Sequence, residues 1–549
     1  MSYNPFPQPA DVVVNTGIGT SAVSETNRFP VSIGNTTIPV SIGGTTIINT
    51  EISSFPDSSL AAFEELMVVQ PFPVVQLDSV YGIEIDKVNL TQVGTGSCFV
   101  DTDNLWTMSP GTTIGNIASL SSKRFIRYRP GTGTLARFTA QFTTSGIGST
   151  NGVGLGITNA VQQAGLANLG NAYTFGFSGI PGQNKFGILH RYGGKIEIQK
   201  LTITQAPTGI QTATVVLNGT TYSIPIGAGT SSQTASTIAS YNYGNVWNAE
   251  QSDGTVIFSA RSSGVRSGSY SFSASGAGTL ATGTFTQIDA GVANTNVWTY
   301  QDAWNGTPVS IDPSKLNVYA IDMRWLGAGI VRFFVENPAN GKMTLVHTQL
   351  WSNRNNIPHL SNPSLRVNYA TTVSASGTAS QSAIVKGGSM YGAIQGSIAQ
   401  TTYSEGWYAV NTTSVAKDIV HHLMSIKNPF TKSNKLNTRE FMLQDLSVSV
   451  QGTDPVVVFV YNNPIIGTGQ ILFDTIPESN ALVSTTYTPT FDPAVNNPIV
   501  SFVLGINGTS QFDLLPYRIT IAPGDFISIA ILSTNSISRS AVSLTWNTD

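Results

Sequence analysis

The chain has 549 residues, of which only 10% are charged; that is room for roughly three or four domains, at well under half the usual charge density of a soluble protein. The formal net charge is −3, and Lys and Arg are scattered apart from the short cluster Lys123, Arg124, Arg127 and Arg129. No basic field is available to grip a phosphate backbone, which argues against a nucleic-acid partner. The single Cys98 excludes an intramolecular disulfide, and no apolar run approaches the length of a membrane span, so no membrane partner is expected.

The opening MSYNPFPQPADVVV carries neither the basic segment nor the apolar core of a secretory signal. The expectation is synthesis in a reducing cytoplasm, yet the Gly-, Ser- and Thr-rich texture is that of an extracellular surface. One resolution is release by lysis, as virion proteins are released. Residues 1–56 read as an extended arm built around a tandem nonapeptide, FPVSIGNTT followed by IPVSIGGTT and the start of a third copy at Ile47. Within the copies Phe29, Val31 and Ile33, then Ile38, Val40 and Ile42, alternate with other residues at the period of a half-buried strand. A nine-residue unit cannot bury its apolar face alone. It either folds back as a β-hairpin on the domain that follows or stacks with copies from other chains in a fibre-like stalk.

From about Leu66 the chain becomes a succession of short alternating segments, including 74–85, RFIRYRPG (124–131) and LARFTAQF, each closed by Gly, Pro, Asp or Ser. Helical periodicity is confined to 57–66, with Asp57 as N-cap, and to TNAVQQAGLANL (158–169), where a glycine weakens it. After Ile196 the texture changes. TATVVLNGTTYSIPI reads as a hairpin turning at Asn218-Gly219, and longer, aromatic strands resume near Trp298. The expected organisation is all-β: a discontinuous central sandwich of jelly-roll or concanavalin-like type over 57–195 and 298–400, an inserted immunoglobulin-like domain over 196–297, a connector over 401–434, and a C-terminal β-sandwich over 435–549.

Motifs that would carry catalysis fail on context. Gly131, Gly133 and Ala136 match a dinucleotide fingerprint, but a strand-like RFTAQF follows where a helix is required. Adjacent His421 and His422 point to opposite faces of a strand and cannot chelate one metal ion. Asp322 and Glu336 suggest a carboxylate pair, but a mid-strand Asp322 beside Arg324 reads as an ion-paired structural group. No catalytic, metal or cofactor-binding residues are expected, and the chain reads as no enzyme. The basic cluster reads as a solvated strand face. Trp304, Trp325 and Trp351, with Trp298 nearby and Tyr192 and His190 as neighbours, offer stacking faces for sugar rings. The competing reading is that they plug the sandwich core.

The order RFIRYRPGTGTLARFTAQF, KFGILHRYGGKIEIQKLTIT, NVYAIDMRWLGAGIVRFFVENPANGKMTLVHTQLWSN and LSNPSLRVNY, closing with APGDFISIAILSTNSISRSAVSLTW, resembles surface and appendage proteins of tailed phages, cyanophages especially, with a module also found in giant-virus virion proteins. The likeness covers about residue 66 to the end. It implies a non-enzymatic structural protein of the virus particle, a homotrimeric fibre or a head, neck or tail decoration that contacts other virion proteins. The arm residues Phe29, Val31, Ile33, Ile38, Val40, Ile42 and Ile47 would then drive trimer assembly. The alternative is a lectin-like receptor-binding protein that recognises host surface polysaccharide through Trp304, Trp325, Trp351 and Tyr192.

Overall fold

In the computed structural model the described residues are 71–147, 154–374, 377–396, 403–412, 416–433 and 435–548, together with four short strands before residue 41. The chain divides into a unit over Met1–Asp57 and a unit over Ser58–Asp549. In the first, Phe29–Ile33 and Thr36–Val40 form an antiparallel pair in which Phe29 stands opposite Val40 and Val31 opposite Ile38. The tandem repeat is thus a hairpin. Ile42, Ile47 and the helix expected over 57–66 lie outside the described residues.

The second unit is all-β, as the alternation predicts. Its central part is two antiparallel sheets packed face to face. One is nine-stranded and centred on Gly133–Phe142, which pairs with Asn317–Met323 on one side and with Ser389–Gln395 and Val385–Gly387 on the other. The other is seven-stranded, in the order Thr295–Tyr300, Phe186–Tyr192, Ala172–Phe177, Ala160–Ala167, Arg366–Val373, Ile117–Ser122 and Val88–Val93. Phe138, Phe142, Phe175, Phe186, Tyr319 and Tyr369 interleave between them as a continuous aromatic core. Tyr369 donates its hydroxyl to the carbonyl of Thr139 at 2.8 Å, so a phenol buried at the sheet interface keeps a partner.

Ala160–Ala167 is a strand and not the expected helix. It sits mid-sheet, and its small residues accommodate a close approach: a Cβ on Gly165 would lie 2.5 Å from the carbonyl oxygen of Tyr173. A glycine within a run marks such an approach in a strand as readily as it weakens a helix. Sheet pairing on both sides overrides the weak 3.6-residue period.

The chain leaves this sandwich after Phe186–Tyr192 and returns as Thr295–Tyr300, the adjacent strand, with His190 opposite Val297. Between them, Ile196–Gln205 lies inside a four-stranded sheet and Gln211–Leu217 inside a three-stranded one, enclosing a separate core around Leu201, Val215, Trp247 and Phe258. The turn at Asn218-Gly219 has positive φ at both residues, 50° and 79°, as a tight hairpin requires. This inserted body also carries the helix Ser231–Ala239, which the sequence reading missed. Its signal was present in Thr230 and Gln233, which form a reciprocal capping box. The helix is Ser- and Thr-rich, which hid its period.

Residues 401–434 are not a connector. Tyr403–Asn411 pairs along its whole length with Ile537–Thr548, and Val420–Lys427 is an inner strand of the C-terminal eight-stranded sheet beside Phe526–Ser533. The alternation in YSEGWYAVN was legible, but the two histidines of VHHLMSIK disguised a buried strand. The inserted and C-terminal bodies are joined by buried polar groups. Gln251 exchanges two hydrogen bonds with the backbone of Phe473, at 2.9 and 2.8 Å. Glu250 accepts from the Phe430 amide at 3.1 Å and pairs with Lys427 at 3.0 Å, with only 4% and 13% of the two side chains exposed.

Removing one member of such a desolvated pair strands the other. Glu250→Ala is expected to cost about 3 kcal/mol and to uncouple the two bodies, so that scanning calorimetry resolves a separate lower-temperature transition in place of a joint one.

Candidate functional site

The aromatic residues singled out in the sequence fall into three places. Tyr192 and Trp351 meet beside His190, at the edge of the strand Phe186–Tyr192. Tyr192 stacks on one face of the His190 ring at 4.6 Å and Tyr173 on the other at 4.7 Å, while Trp351 stands edge-on at 5.2 Å. The Trp351 indole N–H donates to the carbonyl of Ile357 at 2.6 Å, and Trp351 is buried. Trp325 lies apart, edge-on to Tyr128, with its N–H given to the carbonyl of Leu360 at 3.2 Å. Trp304 packs against Phe175 and Phe186 and donates to the carbonyl of Thr299 at 3.1 Å. The three indoles therefore hold backbone in place, two of them pinning the segment 357–360. Trp298 sits on the outer strand of the seven-stranded sheet, opposite Leu189.

A polar network sits at the centre of the first group. His190 Nε2 donates to the carbonyl of His359 at 2.7 Å, and Gln349 donates to His190 Nδ1 at 2.8 Å. These partners fix the neutral Nε2–H tautomer. The Tyr173 hydroxyl and His359 Nδ1 are 2.7 Å apart. Burial pushes His190 and His359 down to about 4, and a charge on His190 would push His359 further in the same direction. Among these groups Tyr192 and Gln349 are half-buried; the two histidines, Tyr173 and Trp351 are sealed.

The C-terminal histidines separate as their strand register requires. His422 is fully buried, its Nδ1 bonded to the carbonyl of Thr486 and its Nε2 2.7 Å from Ser425 Oγ, which is in turn 2.6 Å from Ser528 Oγ. The spacing is that of a nucleophile and base, but Ser425 and Ser528 have no solvent-exposed surface. A substrate has no path to them, so the chain of hydrogen bonds satisfies polar groups within a core.

Asp322 is held by Arg332, directly across the ladder, with bonds of 3.0 and 2.5 Å to one carboxylate oxygen. Glu336 lies four residues further along that partner strand, about 13 Å away at strand rise, which is too far for a glycosidase pair. Gly133 opens a strand, so the dinucleotide fingerprint has no helix behind it. Burial raises the Cys98 thiol to about 11, leaving it protonated and unreactive at neutral pH. Among the described residues, no group of three or more His, Cys, Asp or Glu is placed to hold a metal ion, and no helix is long and apolar enough to cross a membrane.

The basic cluster is not a solvated strand face. Residues 123–131 are irregular, with an isolated bridge from Ile126 to Leu365. Arg124, Arg127 and Arg129 line a cavity where the central sandwich meets the C-terminal one, and Arg124 Nε donates to Glu440 of the latter at 2.9 Å.

No family model matches the chain, and no curated protein matches it. Among solved structures it is similar to the lectin UEA-II complexed with galactose, at 10% identity and a TM-score of 0.22 over 59% of this chain and 99% of that one. It is also similar to a chain of Sulfolobus Turreted Icosahedral Virus, at 8% identity and a TM-score of 0.15 over 87% and 98%. A third is a chain with a triple jelly roll fold from an archaeal virus turret assembly, at 9% identity and 0.14 over 88% and 98%. Scores of this size carry no argument about function, which rests on the residues themselves.

The three sealed histidines set a pH dependence. His190, His359 and His422 each have folded values of about 4, below the ordinary value near 6.5, so protons bind the unfolded chain first. Stability is complete above about pH 6.5 and drains as pH falls toward 4, by up to about 3 kcal/mol for each histidine. Thermal melts between pH 7.5 and 4.5 should show a progressive fall in Tm; a Tm that stays level from pH 7 to 5 would contradict this assignment.

Proposed function

We propose that this chain is a non-enzymatic structural protein of a virus particle, a fibre or a head, neck or tail decoration that assembles as a homotrimer through its N-terminal repeat. The observation that carries the reading is the repeat hairpin itself. Phe29–Ile33 and Thr36–Val40 pair only with each other among the described residues, and a lone two-stranded hairpin is marginal in water. Its outer edges offer unsatisfied N–H and C=O groups, and added strands complete them. Low charge permits like chains to lie side by side without repulsion.

The large unit suits a presented body. Its β domains are joined by the buried Glu250–Lys427 pair, by the partly exposed Arg124–Glu440 pair and by side-chain to backbone bonds, which favours a rigid block over hinged modules. A lectin-like role through Trp304, Trp325 and Trp351 draws less support, because their indole N–H groups are already spent on backbone carbonyls. Tyr192 keeps an exposed portion for such contact.

Light scattering on the full chain and on a chain beginning at Ser58 tests the proposal. The full chain is expected at three times its 58.1 kDa monomer mass and the shortened one at the monomer mass. The double variant Val31→Asp/Ile38→Asp, altered at one paired position of the hairpin, should behave as the shortened chain. A monomeric full chain would sink the trimer reading.

A further inference from the structure

Gln141, Lys386, Thr107 and Phe99 stand opposite one another, in register, across four neighbouring strands of the nine-stranded sheet. Their chain neighbours Ala140, Val385, Met108 and Cys98 pack into the core, so the row lies on the sheet's outer face. At the Gln141 end it opens into a cavity of about 280 Å³, lined also by Thr143, Thr144, Ser314 and Ile384. That is the small end of the range for ligand pockets. The wall is braced by bonds that need no ligand. Gln141 Nε2 donates to the carbonyl of Ser314 at 2.7 Å, while the Thr143 hydroxyl donates to the carbonyl of Ile384 and accepts from its amide, both at 3.1 Å. Other polar atoms are left over. Among the described residues Gln141 Oε1 and the Thr144 hydroxyl have no hydrogen-bond partner, and Ser314 Oγ, which donates to Asp312 at 2.7 Å, keeps lone pairs to accept with. Lys386 pairs with Asp101 at 2.6 Å, which balances its charge and leaves its remaining N–H bonds to give.

We propose that this cavity binds one neutral sugar ring, with Lys386 and Thr144 donating to its hydroxyl oxygens and Gln141 Oε1 and Ser314 Oγ accepting from its hydroxyl protons. A set that mixes donors and acceptors suits hydroxyl groups, each of which does both. An anion would face the lone pairs of Gln141 and Ser314 with no uncompensated positive charge to hold it. A metal ion would find no carboxylate among the lining residues, and an apolar ligand would strand the polar wall. Further along the row Phe99 is 45% exposed, two strand spacings or about 10 Å from Lys386, where its ring offers a stacking face to a second sugar. The ligand can therefore be a free monosaccharide or the end of a polysaccharide. Glycan contact then falls on this face of the central sandwich and not on the three tryptophans. The site belongs to one sandwich and does not rest on the assembly proposed above.

Saturation-transfer difference NMR on the full chain, titrated with methyl glucoside, methyl galactoside and methyl mannoside, is the test. At least one of the three is expected to bind with a millimolar Kd. Thr144→Val removes only a hydroxyl that the fold leaves unpartnered, so Tm should hold while affinity for that sugar falls about threefold or more. Gln141→Leu, its fold checked by circular dichroism, should weaken binding at least as much. No transfer to any of the three sugars, or unchanged affinity in both variants, would overturn the site. The disaccharide of whichever sugar binds, maltose, lactose or mannobiose, separates the sources. Tighter binding of the disaccharide, lost in Phe99→Ala, assigns the site to the end of a polysaccharide. Equal binding assigns it to a free monosaccharide and removes Phe99 from the site.

Discussion

The ladder between Phe186–Tyr192 and Thr295–Tyr300 is the constraint on which the large unit depends. It closes the seven-stranded sheet across an excursion that contains an entire domain. The closing strand must arrive in register, and the segment after it supplies Asn317–Met323, Val331–Glu336 and Arg366–Val373 to both sheets. Bonds between Lys195 and Val292, at 3.1 and 3.0 Å, hold the neck of the excursion shut. With its ends fixed side by side, the inserted domain adds no long-loop penalty to the sandwich, because the entropy of closure is offset once by its own core.

Most of the architecture was legible in strand periodicity and turn chemistry. The hairpin at Asn218-Gly219 and the return of the first sandwich near Trp298 follow from local patterns that agree with the global fold. The failures are as local. Ala160–Ala167 reads as a weak helix because its partners lie on strands far away in sequence. Val420–Lys427 reads as connector because a buried strand holding two histidines resembles no template, until Thr486 and Ser425 are seen to satisfy His422. The helix Ser231–Ala239 is announced only by its cap.

Residue roles were harder to read than strands. The tryptophans were visible as a group but their N–H partners were not, since backbone carbonyls leave no mark in a sequence. The same holds for the arginines of 124–129. Their spacing suggests a solvated strand, whereas the real determinant is Glu440, more than three hundred residues away and reached only when two sandwiches meet. Asp322 shows the milder form of this limit: its role as an ion-paired strand carboxylate was clear, while its partner Arg332 was set by register across the ladder.

The adjacency of the strands on either side of the insertion also shapes how the chain must emerge from the ribosome. Residues up to Tyr192 are made first, yet their sheets lack the strands that lie beyond residue 294. The inserted domain, whose strands pair only among themselves among the described residues, is complete before its host and folds while the host's apolar faces still wait. The aromatic core around Phe138, Phe175 and Phe186 is the surface exposed during that interval, and Tyr319 and then Tyr369 cover it. Chains crowded on one messenger are most prone to cross-association in that interval, a vulnerability set by the order of synthesis and invisible in the finished fold.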